Sequence, residues 1–287
     1  MYKLVGFLDQ GNLGLGYLIA VLRDFGYRVV VVDVENEPDE ILAVARRERP
    51  LLIGFSLIFQ FYITRYERLI RHLRRGGMAC HFTMGGHFPS LSAAETMRAV
   101  PMLDSVVRFE GEVTLLEVCD RISAGDDWRE TSGLVFRRGD ELVETDARHL
   151  LRRLDDLPYP ARDFEPETVL GRRAMPLIAS RGCARTCSFC SIHTFYRAAS
   201  GKIVRTREPS AVVEEMRYLH NERGISIFLF QDDDFPLFGP VWQRWTRNFL
   251  AELRKAGLPG NAIWKMNCRA DAVDEQLFTE MRDAGLY

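Results

Sequence analysis

Apolar runs of five to seven residues alternate with amphipathic stretches five times over residues 1–127. The runs 3–8, 28–34, 51–57, 80–84 and 105–109 predict strands. The stretches 18–25, 39–47, 64–75, 93–100 and 113–122 carry apolar positions at three- and four-residue spacing and predict helices. Strands that are apolar on both faces belong to a parallel sheet covered on both sides by helices. The pattern then changes. Residues 133–144 alternate apolar and polar around Arg138-Gly139-Asp140 and predict a β-hairpin. Pro158 and Pro160 keep the stretch 154–160 extended, as expected of a connecting strap. From Met175 a second alternating series begins. It has strands at 175–179, 225–231 and 262–267 and helices at 210–223, 242–256 and 274–284. Ser210 is the expected N-cap of its helix and Gly224 its stop.

The chain thus divides into 1–127, a connecting segment with a hairpin at 128–172, and 173–287. In doubly wound sheets and in barrels, ligands meet the carboxyl ends of the strands. In the first domain those ends run into Asp9-Gln10-Gly11-Asn12-Leu13-Gly14, Ser56-Leu57, Gly85-Gly86-His87 and Glu110-Gly111-Glu112. Glycines there let a bulky ligand approach the backbone. In the last domain they run into a cysteine loop, into Asp232-Asp233-Asp234-Phe235 and into Cys268-Arg269-Ala270-Asp271.

The cysteine loop carries the sharpest signal. Three of the chain's six cysteines, Cys183, Cys187 and Cys190, lie in the run Arg181-Gly182-Cys183-Ala184-Arg185-Thr186-Cys187-Ser188-Phe189-Cys190-Ser191. Thiolates select zinc, copper(I) or iron–sulfur clusters. A four-iron cubane takes one thiolate per iron, so three cysteines leave one iron open to a substrate or cosubstrate. The alternative is a closed Cys3His zinc site completed by His193.

This run after a strand resembles the signature of the radical S-adenosylmethionine enzymes. The resemblance implies a [4Fe-4S] cluster on Cys183, Cys187 and Cys190. S-adenosylmethionine would chelate the open iron, and a 5′-deoxyadenosyl radical would form from it. It implies S-adenosylmethionine contacts at Phe189, Asp233 and Arg269, and no catalytic residue beyond the cluster ligands. The residues leave other roles open. The acidic run is also a magnesium site or a set of helix caps. Arg269 pairs either with a cosubstrate carboxylate or with Asp271 or Asp233.

The strand ends of the first domain, in their order, resemble the cobalamin-binding domain that precedes many such enzymes. The implied contacts are Gln10, Gly11, Asn12, Ser56, Leu57, Gly85, Gly86, Gly111 and Glu112. Gly11 stands where corrinoid-dependent methyltransferases place a cobalt-ligating histidine, so the resemblance implies base-off cobalamin without histidine on cobalt. His87 is a candidate ligand by proximity alone. A Rossmann-like domain that binds nothing is the plain alternative.

The expected fold is therefore α/β. A flavodoxin-like, doubly wound cobalamin-binding domain is followed by a partial radical S-adenosylmethionine (βα) barrel, truncated at its C-terminal side. Such a barrel has six βα units in the family and three are counted here. At roughly 30 residues per unit, about 90 are missing, so a fragment with an exposed edge strand at 262–267 is expected. The implied activity is C-methylation of an unactivated carbon in a natural product, small metabolite or peptide. Radical rearrangement or cyclisation is the alternative within the family. A non-catalytic cobalamin sensor fused to a zinc domain is the alternative outside it. A flavodoxin or ferredoxin is the expected electron donor.

Bulk properties narrow this little. Apolar residues make up 47% and charged residues 27%, enough for a sizeable core. A net charge of −2 gives no support for nucleic-acid binding. No secretory leader pattern opens the chain, and Cys80, Cys119 and Cys268 are scattered singly. Both features fit a reduced, cytoplasmic location away from membranes.

Overall fold

A computed structural model describes residues 12–33 and 35–287. They form two compact units. One comprises Val21–Leu151 with Thr194–Gly201; the other comprises Arg152–His193 and Lys202–Tyr287 with the described residues up to Ala20. The expected strand 3–8 and the residues Gln10 and Gly11 lie outside the described residues.

The first unit holds the end of α1 (Leu13–Asp24), then α2 (Pro38–Glu48), β1 (Leu52–Ser56), α3 (Ile63–Arg75), β2 (His81–Gly85), α4 (His87–Leu91), α5 (Ala93–Ala99), β3 (Ser105–Val107), α6 (Glu112–Ala124), β4 (Leu134–Arg138) and β5 (Glu141–Glu144). β1, β2 and β3 run parallel in that order, with Leu52 opposite His81 and Thr83 opposite Ser105. Phe82 and Met84 are fully buried, as expected of a strand covered on both faces. Leu69, Ile70 and Leu73 of α3 pack into the same core as Phe55, Met97 and Val106.

Several expectations change here. The hairpin expected in the connecting segment instead completes the sheet, with β4 antiparallel to β3 and Val106 opposite Val135. Residues 28–33 have no strand partner among the described residues, and Val34 lies outside them. Among the described residues β1 pairs only with β2, so that edge offers 28–33 no ladder. The strand expected to reach Phe109 stops at Val107. Phe109 takes a left-handed backbone with φ 61°, which an extended strand does not accommodate. The short helix α4 was not anticipated; it opens on Gly86, with φ 114°.

The second unit holds β6 (Glu167–Val169), β7 (Arg172–Leu177), β8 (Ser180–Arg181), the start of α7 (Ile192–Arg197), β9 (Arg205–Thr206), α8 (Pro209–Arg223), β10 (Ile225–Phe230), α9 (Pro240–Lys255), β11 (Ile263–Lys265) and α10 (Glu275–Asp283). Its main sheet has the order β11-β10-β7-β6; β11, β10 and β7 are parallel, and β6 is an antiparallel edge. β8 and β9 form a separate small ladder. Phe230, Phe235, Phe249 and Trp264 meet edge to face or tilted at centroid distances of 5.3 to 6.2 Å and make the centre of this core.

Ser210 is not the cap of α8. Pro209 occupies the first turn and Glu208 the N-cap position without a side-chain bond; proline is preorganised for that first position. Asp274 does cap α10, accepting from the Leu277 N–H at 2.8 Å. The edge at β11 is not fully open: the Trp264 N–H donates to Gly285 O at 2.9 Å, and its carbonyl accepts from the Tyr287 N–H at 3.0 Å.

Candidate functional site

The cysteine loop leaves β8 through Gly182, and this glycine is required. Its φ is 90°, and a Cβ there would lie 2.1 Å from the Ile203 carbonyl oxygen. Two aspartates past β10 hold the same segment from the other side. Asp232 is buried and accepts from the Ala179 N–H at 3.0 Å and from the Ser180 hydroxyl. Burial raises its carboxyl to about 7 despite those donors. Asp233 accepts from the Gly182 N–H at 3.0 Å. Asp234 is raised by burial, and the Arg269 backbone N–H opposes that shift.

Cys183, Cys187 and Cys190 are half-buried. The Cys190 N–H donates to Cys187 O at 3.0 Å, a turn that sets the last two cysteines on one bend. Burial pushes the Cys183 thiol up, and the Arg185 backbone N–H pulls the other way. Arg269 Nη1 lies 3.2 Å from Cys187 Sγ. Its other nitrogens form a two-point pair with Asp271, Nε to Oδ1 at 2.9 Å and Nη2 to Oδ2 at 3.0 Å. Of the partners left open by the sequence, Asp271 is therefore taken. Phe189 is 92% exposed.

The donor set suits a soft iron–sulfur cluster better than a hard cation. Three thiols share one loop, while Asp232 and Asp233 are engaged by backbone N–H groups. Those two carboxylates serve the loop backbone. His193 sits in the first turn of α7. Among the described residues no three His, Cys, Asp or Glu side chains are gathered as a ready metal site. A metal group on this loop would itself have to draw the sulfurs together, as is usual where metal binding and loop folding are one step.

The strand-end residues of the first unit converge only in part. Gly85, Gly86, Ser56 and Leu57 adjoin at the ends of β1 and β2, where the Leu57 N–H donates to Gly85 O at 2.8 Å. The Ser56 carbonyl accepts from Tyr66 Oη at 2.7 Å. A Cβ on Gly86 would meet Leu57 O at 2.4 Å, so the protein's own backbone demands that glycine. Gly85 is less confined, with Val107 O at 3.4 Å. The side chains of Leu57 and Glu112 are buried, at 1% and 4% exposure, which leaves their backbones as the parts able to meet a ligand. Gly111 stands at the N-cap position of α6. Asn12 groups instead with the second unit. There its Oδ1 accepts from the Leu15 N–H at 2.9 Å at the start of α1.

The residues missed by sequence reasoning are Ser180, Gly182 and Asp232 as supports of the loop, and the apolar group Ile58, Phe59, Phe61 and Tyr62. Those four are exposed just past β1, with the rings of Phe59 and Phe61 stacked at 5.6 Å. Their signal was available, because four large apolar residues in five at a strand end exceed what a turn needs.

Residues 5–119 match the B12 binding domain family. An uncharacterized methyltransferase of Pyrococcus horikoshii is 26% identical over 283 residues, 96% of this chain and 59% of the relative. The anaerobic magnesium-protoporphyrin IX monomethyl ester cyclase of Cereibacter sphaeroides is 32% identical over 215 residues, 71% of this chain and 33% of the relative. Residues 5–119 thus carry a B12-binding domain. The chain's fold is that of the radical S-adenosylmethionine methyltransferase TsrM from Kitasatospora setae. That likeness has a TM-score of 0.75 at 23% identity and covers 96% of this chain and 55% of the TsrM chain. The first unit accordingly has a doubly wound α/β fold and the second the fold of a partial (βα) barrel. The chain spans little more than half the length of the first relative. Among the described residues no helix is long and apolar enough to cross a membrane.

Proposed function

We propose that this chain is the cofactor-holding part of a cobalamin-dependent radical S-adenosylmethionine enzyme that methylates an unactivated carbon of a small molecule or peptide. The observation that carries the reading is the cysteine loop. It is anchored by Gly182, Asp232 and Asp233 and joined in one chain to a B12-binding domain. Cys183, Cys187 and Cys190 would hold a [4Fe-4S] cluster. Phe189 and Arg269 would meet S-adenosylmethionine, with Asp233 supporting the loop backbone beside it. Gly85, Gly86, Ser56, Gly111 and the backbones of Leu57 and Glu112 would line the cobalamin side; Gln10, Gly11 and Asn12 are further contacts expected from the sequence. When bound, these groups supply a hydrogen-abstracting radical and a methyl group; the chain's own work is to hold them and to keep water away. Arg269 gives the loop a fixed cation beside Cys187. The reducing electron comes from a flavodoxin- or ferredoxin-like donor.

A second reading, radical cyclisation, is favoured by one observation: the relative that is 32% identical is named a cyclase. Both readings share the cluster and its cosubstrate. The test is calorimetric titration of S-adenosylmethionine into anaerobically reconstituted protein. Binding is expected in the cluster-loaded chain and lost in Cys183→Ala, Cys187→Ala and Cys190→Ala. Equal binding to the cluster-free chain would contradict the proposal.

A further inference from the structure

The segment Thr194–Gly201 follows the cysteine loop directly in the chain, yet it packs with Val21–Leu151. It is pinned at both ends. Phe195 of α7 lies nearly flat on the His87 ring, with centroids 5.1 Å apart and planes 17° apart. It also meets Phe109 edge-on at 5.3 Å. At the far end the Leu150 N–H donates to Ser200 O at 2.9 Å. Gly201, with φ 129°, sits where a Cβ would come 3.2 Å from Leu150 Cβ. Ala199 between them is buried.

The surface that receives Phe195 is a special one. His87 follows Gly86 at the end of β2, and Phe109 follows β3, so both stand at carboxyl strand ends. Phe109 is one of three non-glycine residues with positive φ among the described residues. Its N–H donates to Ser90 Oγ at 2.7 Å, and that hydroxyl donates to Gly86 O at 2.7 Å. The strained turn and the Gly86 turn are therefore one hydrogen-bonded piece. A non-glycine residue held in this region persists only where its surroundings enforce it, and such places cluster at ligand sites.

We propose that Phe195 is a positioning residue that couples corrinoid binding at these strand ends to cluster assembly on the cysteine loop. α7 begins at Ile192, two residues past Cys190. A single short helix thus carries both the exit of the loop and the ring that rests on His87 and Phe109. A ligand that orders the Gly86–His87–Phe109 piece orders Phe195, and with it the end of the loop. By linkage the effect runs equally in reverse. The inference rests on the proposed function, which supplies the two groups.

The experiment measures hydroxocobalamin affinity by absorbance titration of the full chain, cluster-free and cluster-loaded. The wild-type chain should bind at least about fivefold more tightly when loaded, the lower end of ordinary coupling between sites. Bound corrinoid should slow iron loss to a chelator. Phe195→Ala should bring the affinity ratio close to one while still taking up both groups, and Phe195→Tyr should restore it. Phe195→Leu keeps apolar bulk without the stack and should also lower the ratio, which guards against a simple folding defect in the alanine variant. A wild-type ratio of one, or an unchanged ratio in Phe195→Ala and Phe195→Leu, overturns the coupling while leaving the proposed function standing. Failure of the wild-type chain to bind either group overturns both.

Discussion

Gly182→Ala probes the support of the cysteine loop without touching a cysteine. The backbone there has φ 90°, a conformation that costs an L-residue roughly 1–2 kcal/mol. The added Cβ would also sit 2.1 Å from Ile203 O and 3.0 Å from its carbonyl carbon. Both neighbours are backbone atoms, so relief means parting β8 from β9. That sacrifices the short ladder pairing Ser180 with Thr206 and Arg181 with Arg205, together with the bond from the Gly182 N–H to Asp233. Two or three hydrogen bonds at about 1 kcal/mol each bring the cost to about 4 kcal/mol. At 1.4 kcal/mol per tenfold the ordered loop should become roughly a thousandfold rarer. Gly257→Ala is the control, because Gly257 also has positive φ, 68°, with nothing within 4 Å of its Cβ position. It should show only the backbone cost, roughly 1–2 kcal/mol. The assay is denaturant unfolding of the cluster-free chain, followed by anaerobic reconstitution with iron and sulfide counts. Gly182→Ala with wild-type stability and a full cluster would refute the reasoning.

Two further perturbations test the rest of the fold. Burial depresses the His81 imidazole to about 4 from an ordinary 6.5, with Ser105 Oγ 2.9 Å from its Nε2. Unfolding restores the higher value, so this contribution is full above about pH 6.5 and is lost as the pH falls toward 4. It amounts to about 3 kcal/mol in the first unit. Urea midpoints at pH 7.5 and 4.5 should differ less in His81→Gln than in wild type, and equal differences would contradict it. In the second unit Glu215 is 1% exposed and pairs with the buried guanidinium groups of Arg162, at 2.8 Å, and Arg207, at 2.5 Å. Glu215→Ala leaves the buried Arg162 without this carboxylate and Arg207 with Asp155, at 3.7 Å, and should cost about 3–5 kcal/mol; a loss under 1 kcal/mol in urea unfolding would refute that.

The parts of the fold legible in the sequence are those set by local pattern. Strands such as His81–Gly85 and Ile225–Phe230 are apolar on both faces, and α3 and α9 have clear faces, so their periods declare them. The cysteine spacing is local too. What escaped depends on partners far along the chain. The hairpin 134–144 has no local sign that it will pair with β3. Asp232 and Asp233 read as a cosubstrate, magnesium or capping run, and their support of the backbone at 179–182 shows only in the fold, because those partners lie some fifty residues earlier. Phe109 looks like one more strand residue, and only its bond to Ser90 explains why the strand ends before it. Ser210 misled because the neighbouring proline sets the helix start more strongly than a hydroxyl does.

Metal, sulfide and corrinoid analysis of the anaerobically reconstituted chain tests the central claim most directly. The account predicts about four iron and four sulfide per chain. They should be lost in Cys183→Ala, Cys187→Ala and Cys190→Ala and kept in Cys80→Ala, Cys119→Ala and Cys268→Ala. One tightly held cobalamin should accompany them. Stoichiometric zinc without acid-labile sulfide, and no retained corrinoid, would contradict it.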